Sequence, residues 1–394
     1  MLKLSNRAQG VTPSATIALA AKAKAMKAAG EDVVGFTAGE PDFDTPEHIK
    51  QAAIEAIRAG DTKYTPNTLA SLREAVVARV RDELGLEYTT DQVVFSCGAK
   101  HSLYYAFQAI VDPGDEVIVI SPYWLSYPES IRLAGGTPVF VKTMEEDNFQ
   151  PDPEKVAAAI SERTVALVIN SPCNPTGAVY DRETLQAIVD VCDEHDVRII
   201  SDEIYDKLLF DGREHVSPLQ LSAKAAETGI LVNGASKTYA MTGWRFGWAL
   251  GPADVIKAMS SIQSHASSPP AAFTHAAVLH ALTSSQEAVE QMRAEFEKRR
   301  NYMSERISRW EFATFCRPAG TFYAFPRLDG VIGQTRGGKE LRDGMAIAEY
   351  LLESVKVAVV PGGPFGAERN IRLCFATSME AIEKGLERIE QALG

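Results

Sequence analysis

From about residue 50 to residue 290, short apolar runs alternate with amphipathic stretches. The runs QVVFS, EVIVIS, TPVFVKT, VALVIN, VRIISDE, ILVNGAS and FGWALG are rich in Val, Ile and Phe and end in small or polar residues, which reads as buried strands. Between them AKHSLYYAFQAIV, PEKVAAAISE, RETLQAIVDVCDEHD and ADVIKAMSSIQ space their apolar residues as helices do. This alternation predicts an α/β fold in which a mostly parallel sheet is covered by helices on both faces. Ligands of such sheets bind at the carboxyl ends of the strands.

The pattern changes towards the C-terminus. A long charged helix, SQEAVEQMRAEFEKRRNYMSERISRW, leads into GTFYAFPRL, a glycine-rich DGVIGQTRGGKE, the strands VAVVPG and NIRLCFA, and a last helix SMEAIEKGLERIEQAL. Two helices with a few short strands suggest a smaller α+β domain. The expected division is a large domain over residues 46–290 and a small one built from 1–45 and 291–394, with no internal repeat.

Composition narrows the function. At 394 residues, 45% apolar and 23% charged, the chain has the balance of an ordinary globular protein with a large core. A formal net charge of -12 argues against nucleic acid or an anionic membrane as a partner, while leaving room for a local cationic pocket. No apolar run approaches the roughly 18 residues of a membrane span, and ATIALAAKAKAMKAAG, broken by Lys22, Lys24 and Lys27, reads as an alanine-rich helix instead of a signal peptide. Five scattered cysteines suit a reducing cytoplasm better than a disulfide framework. The seven histidines show no metal-ligand spacing, so no metal is expected.

The residues that follow each strand say more. After VVFS come Gly98, Ala99 and Lys100 at a helix start, small residues with free backbone N–H groups that suit a phosphate. After EVIVISP comes Trp124, an aromatic plate; after VALVINSP comes Asn174 in a CNPTG turn. VRIIS is followed by Asp202 and Tyr205, and ILVNGAS by Lys237. In a parallel sheet these converge on one edge. Pyridoxal 5'-phosphate uses every one of these parts: an amine for its aldehyde, a carboxylate for its ring nitrogen, donors for its 3-oxygen, a stacked aromatic, and N–H groups with a cation for its phosphate.

Along nearly its whole length, through PSAT, AGEPDFDTP, KYTPN, DPGDEVIVISPYWLSYPE, NSPCNPTGAVY, SDEIYDKL, SKTYAMTGWRFGW and NIRLCFA, the chain resembles class I aminotransferases of the pyridoxal-phosphate fold type I superfamily. It is most similar to the bacterial aspartate aminotransferases of subgroup Ib. The resemblance implies that Lys237 carries the cofactor as an imine and later moves the substrate proton, and that Asp202 pairs with the ring nitrogen. It implies further that Asn174 and Tyr205 bond the 3-oxygen, Trp124 stacks on the ring, and Arg245 and Ser236 bind the phosphate. Many relatives carry a serine three residues before the lysine, where this chain has Gly234, which shifts phosphate binding towards Gly98, Ala99 and Lys100.

For the substrate, the resemblance implies that Arg372 clamps the α-carboxylate with help from the Gly39 backbone, Asn174 and Trp124. The resemblance also implies that Ser14, Thr16 and Lys100 form a cradle for a distal carboxylate, although Lys100 has the phosphate as an alternative partner. Aspartate and 2-oxoglutarate are the expected pair, with prephenate as a further substrate. Tyr64 is expected to reach the phosphate of a neighbouring subunit, hence a homodimer with shared sites. Aminotransfer of aromatic or neutral amino acids and a carbon–sulfur lyase on the same scaffold stay open. A nicotinamide dehydrogenase does not fit, since no GxGxxG follows a strand, and the catalytic unit is expected to begin too early for an added DNA-binding domain.

Overall fold

In the computed structural model, which describes residues 4–11, 15–64 and 69–394, all seven apolar runs form strands of one sheet. In chain order the described strands are β1 (Val34–Gly35), β2 (Val93–Ser96), β3 (Glu116–Ser121), β4 (Thr137–Lys142), β5 (Thr164–Asn170), β6 (Arg198–Asp202), β7 (Ile230–Gly234), β8 (Gly247–Leu250), β9 (Tyr323–Ala324), β10 (Thr335–Arg336), β11 (Lys339–Glu340), β12 (Val357–Ala358), β13 (Val360–Pro361) and β14 (Ile371–Cys374). The central sheet runs β2-β8-β7-β6-β5-β3-β4, and only β8 lies antiparallel to its neighbours. The expected mostly parallel α/β fold is therefore the one adopted.

The strand runs are apolar without interruption because both faces are covered. On one face Val117 and Val119 of β3, Ile200 of β6 and Val232 of β7 pack with Leu103 and Phe107 of the helix Ala99–Ile110 and Met259 of the helix Ala253–Ala266. On the other face Ile118, Ile120, Ile199 and Leu231 meet Val76, Leu185 and Val278 from three further helices. Successive residues thus point into two different cores, as the period of two in a strand requires.

A third apolar core lies apart from the sheet. It joins the helices Ala15–Ala28, Glu287–Ile307, Gly344–Val355 and Met379–Leu393 to a three-stranded sheet β13-β14-β9 and the pair β1-β12. Ser378 and Asp343 cap two of these helices by accepting from Ala381 N and Ala346 N. The run VAVVPG, expected as one strand, is two. Val357–Ala358 pairs in parallel with β1, whereas Val360–Pro361 pairs antiparallel with β14, so the chain changes sheet at Val359. The glycine-rich DGVIGQTRGGKE makes the two-residue hairpin β10-β11. No helix among the described residues is long and apolar enough to cross a membrane.

Register decides where the chemistry gathers. Asn170 lies beside Asp202, Asp202 beside Val232, and Gly234 beside Gly247. Because β8 runs backwards, its first residue, Gly247, also sits beside Ser96 at the end of β2. The segment before β8 and the turn after β2 consequently share the carboxyl edge of the sheet. Gly247 is what permits this closeness: a Cβ there would stand 2.2 Å from Ala99 N and 2.5 Å from Gly98 C. Gly247→Ala is expected to cost about 1–3 kcal/mol of stability, seen as a lower thermal unfolding midpoint together with weaker cofactor retention; a variant as stable as the parent would mean the turn yields freely.

Candidate active site

Around one cavity of about 370 Å³ at this edge stand Gly39, Ala99, Lys100, Trp124, Asn174, Asp202, Tyr205, Ser236, Lys237, Arg245 and Arg372. Gly98 adjoins it as the residue before the helix Ala99–Ile110, where φ is 88° and a Cβ would lie 2.7 Å from Arg245 Nη2. One expected residue is elsewhere. Tyr64 is 98% exposed and borders a surface hollow with Ser267 and Phe273, away from the cavity. Ser14 lies outside the described residues; Thr16 falls in the helix Ala15–Ala28, and its side chain lies outside the description as well.

Lys237 sits in a short helical turn directly after β7, where burial between Ala235, Ser236 and Thr238 brings its amine into the cavity. Its Nζ donates to Gly39 O at 2.5 Å. Burial pushes the amine down to about 8; Glu40 and Cys374 oppose this, and Arg372 and Arg245 add to it. Thr242 Oγ1 donates to Glu40 Oε2 at 2.6 Å, which fastens the Gly39–Glu40 loop to the same wall.

Asp202 ends β6 and is 4% exposed. Tyr127 Oη donates to its Oδ2 at 2.6 Å and Ile204 N to its Oδ1 at 3.3 Å. Burial nevertheless raises the carboxyl to about 6, with Tyr127 and Ile204 pulling down, Glu203 adding to the rise and Lys237 pulling down. Asn170, at the end of β5, receives Asn174 N on its side-chain oxygen at 2.9 Å and donates to Asp202 O at 2.9 Å, so it pins the CNPTG turn beside the carboxylate. Sequence reading passed over Tyr127 and Asn170. Both were visible as polar groups inside quoted strand-end motifs, but nothing local says which of them face inward.

Three further cations line the wall. Arg372, from β14, is buried; its Nη1 donates to Asn174 Oδ1 at 2.9 Å, its Nε has no hydrogen-bond partner among the described residues, and its guanidinium lies 4.2 Å from the Tyr323 ring centroid. Arg245, in the left-handed region at φ 57°, turns back so that Nη1 and Nη2 donate to Thr242 O and Cys97 O at 2.8 and 3.3 Å. Lys100 Nζ stands 4.9 Å from the Trp124 ring centroid, and burial together with Arg245 lowers its affinity for a proton. Tyr205 Oη lies 3.1 Å from Tyr323 Oη.

Among the described residues none of Lys100, Lys237, Arg245, Arg372 and Asp202 forms an ion pair, although ion pairs are common over the rest of the molecule. A buried arginine Nε without an acceptor and a buried carboxylate without a cation are unfinished sites for charged groups. The donor set therefore fits pyridoxal phosphate and a carboxylate beside it. The N–H groups of Ala99 and Lys100, the first of their helix, add an end suited to phosphate.

Gly234 explains itself by packing. A Cβ there would lie 2.9 Å from Phe246 O and 3.0 Å from Gly247 Cα, so the close pairing of β7 with β8 leaves no room for a serine. For Lys237, the sign follows from a lowered amine: the neutral, nucleophilic form dominates above about pH 8 and is lost below it. In the cofactor-free protein, acylation of Lys237, followed by peptide mapping, is expected to titrate with a midpoint near 8; a midpoint at the 10.5 of a free lysine would mean the burial is without effect.

Residues 31–389 match the family described as aminotransferase class I and II. The chain is 46% identical over 391 residues to the aspartate aminotransferase of Geobacillus stearothermophilus, covering 99% of this chain and 98% of that protein. It is 46% identical to the aspartate/prephenate aminotransferase of Thermus thermophilus over the full length of both. Among solved structures, the Thermus thermophilus aspartate aminotransferase with maleate superposes with a TM-score of 0.94 at 46% identity over all of both chains. The Rhizobium meliloti aspartate aminotransferase does so at 0.96 and 38% identity, over 100% of this chain and 99% of that one. Similarity of this extent, carried by sequence and fold alike, establishes that the chain belongs to the class I and II aminotransferases, whose cofactor is pyridoxal phosphate.

Proposed function

We propose that the protein moves the amino group of L-aspartate to 2-oxoglutarate, and that Lys237 is the residue on which the reaction turns. The observation that carries this reading is the set of unpaired cations, Lys100, Lys237, Arg245 and Arg372, ranged around the buried Asp202. Arg245, Arg372 and Lys100 offer one cation each to a phosphate and two carboxylates, and Lys237 offers the amine. When bound, pyridoxal phosphate supplies an aldehyde that takes up the amino group and a protonated ring that draws electrons from the substrate α-carbon.

The chain's own residues do the rest. Asp202 keeps the proton on the ring nitrogen, a charge that in turn returns its carboxyl to the ionised state. Asn174 and Tyr205 hold the ring oxygen, and Trp124 offers a flat face. Arg245, Ser236, Gly98 and the N–H groups of Ala99 and Lys100 take the phosphate. Arg372 grips the α-carboxylate through Nε and its outer nitrogens, with Asn174 and the Gly39 backbone alongside, which sets the α-hydrogen over the amine. Lys237 Nζ would then take the proton from the substrate α-carbon and, with the cofactor bound, hand it on to the acceptor the cofactor supplies.

Lys100 reaches the distal carboxylate. That the Thermus thermophilus relative was solved with maleate, a dicarboxylate, supports this choice. The name aspartate/prephenate aminotransferase given to the relative of that organism supports prephenate as a second amino acceptor. The third apolar core supports a division into a large domain, 46–290, and a small one, 1–45 with 291–394. Near-complete exposure of Tyr64, outside its own chain's cavity, supports a homodimer with shared sites, and five unbridged cysteines support a cytoplasmic setting.

Incubating the holoenzyme with aspartate and 2-oxoglutarate is expected to yield glutamate and oxaloacetate; release of pyruvate or ammonia would instead mark a lyase. Lys100→Ala is expected to lower kcat/KM for aspartate by about tenfold or more, the worth of a charge-assisted contact, while alanine and phenylalanine change little. Equal losses on all three amino acids would remove Lys100 from the distal-carboxylate site.

A further inference from the structure

Tyr323 was not among the residues expected from the sequence, yet it stands at the junction of two parts of the site. It opens β9, and its partner across the ladder is Cys374 of β14. Arg372 lies two residues from Cys374 on the same face, a diagonal neighbour that an aromatic ring can reach. The ring is fully buried, with its face under the Arg372 guanidinium. At its far end the hydroxyl lies 3.1 Å from Tyr205 Oη, and a Cβ on Gly39 would be 3.5 Å from it.

The backbone before it is held in an unfavourable shape. Thr321, a β-branched residue, takes φ 63°; it donates its N–H to Leu208 O at 2.9 Å and accepts Tyr323 N on its hydroxyl at 3.2 Å. Such a residue in the left-handed region persists only where its surroundings enforce it. The aim of Tyr323 is thus fixed from both sides.

We propose that Tyr323 is a positioning residue that joins the carboxylate-binding arginine to the phenol that holds the cofactor ring. This rests on the roles given above to Arg372 and Tyr205. Its ring fixes the plane of the guanidinium, so that the free Nε edge meets a carboxylate in plane. Its hydroxyl donates into Tyr205 Oη, which leaves the Tyr205 proton for the cofactor's ring oxygen and strengthens that bond. The two effects are separable because one belongs to the ring and the other to the hydroxyl. The charged and titratable groups facing the phenol pair are Arg372 and Cys374 from β14, Asp202 from β6, Glu40 after β1, and Lys237 across the cavity.

The test uses holoenzyme carrying Tyr323→Phe or Tyr323→Leu. It reads the pH midpoint of the cofactor's visible absorption change without substrate, and the Kd for maleate as a non-reacting dicarboxylate. Tyr205 bonds the ring oxygen best once the lysine-bound nitrogen has lost its proton and that oxygen carries full negative charge. A weaker bond therefore raises the midpoint. Tyr323→Phe is expected to raise it by roughly half a unit with maleate binding unchanged. Tyr323→Leu is expected to raise it equally and to weaken maleate about fivefold. An unmoved midpoint in Tyr323→Phe overturns the proposal, as does a loss of maleate affinity equal in both variants. Tyr323→Phe keeps the buried volume, so the midpoint decides the matter even where Tyr323→Leu fails to fold. Tyr205→Phe and Arg372→Leu are run alongside. If these leave midpoint and Kd alone, the site assignment falls and this role with it; if they shift while the Tyr323 variants do not, the role of Tyr323 alone falls.

Discussion

The Asp202 carboxyl group lies buried at the carboxyl end of a central strand, with two hydrogen-bond donors and no ion-pair partner among the described residues. A buried carboxylate in that state costs several kcal/mol or takes up a proton, and here its proton affinity rises accordingly. What would settle it is a positive charge brought from outside. The same incompleteness marks its surroundings among the described residues: Arg372 Nε without an acceptor there, Lys237 with its proton loosened by burial, and Arg245 bonded there only to backbone carbonyls. The fold maintains these groups at a cost in stability, and a cofactor and substrate bound as proposed would offset that cost.

Their convergence depends on close backbone packing. The antiparallel β8 brings the segment carrying Arg245 to the edge where the six other strands end, and this works only because Gly247 and Gly234 leave no side chains between β8 and its neighbours. The absence of a serine at 234 is thus a consequence of strand pairing. In the third core, the strand pair β9-β14 sets Arg372 and Tyr323 on one face, and the Tyr205–Tyr323 contact links that core to the end of the central sheet.

Much of this was legible beforehand, for reasons that differ by element. The seven strands could be read because buried parallel strands are apolar on both faces, and no helix of ordinary length gives so short a run between turn residues. Lys237, Asp202 and Asn174 could be read because strand-end positions in α/β sheets are few and their residue types were chemically unusual there. Tyr323 and Tyr127 could not: a tyrosine in an apolar motif looks like core filler until its hydroxyl is seen to meet Tyr205 or Asp202. The break of VAVVPG at Val359 was equally hidden, since both halves are apolar and only their partners differ.

By itself, the sequence determined the alternation of strands and helices and the cofactor class, and it singled out the amine, carboxylate and arginines proposed for the site, because each rests on residue type and local spacing. Tertiary structure alone decided the direction of β8, the reason for Gly234, the burial that lowers Lys237 and raises Asp202, and the meeting of Tyr323 with Arg372 and Tyr205. These are properties of groups brought together from distant parts of the chain. Proton affinity and orientation depend on what surrounds a side chain in space, and neighbours in sequence do not specify that.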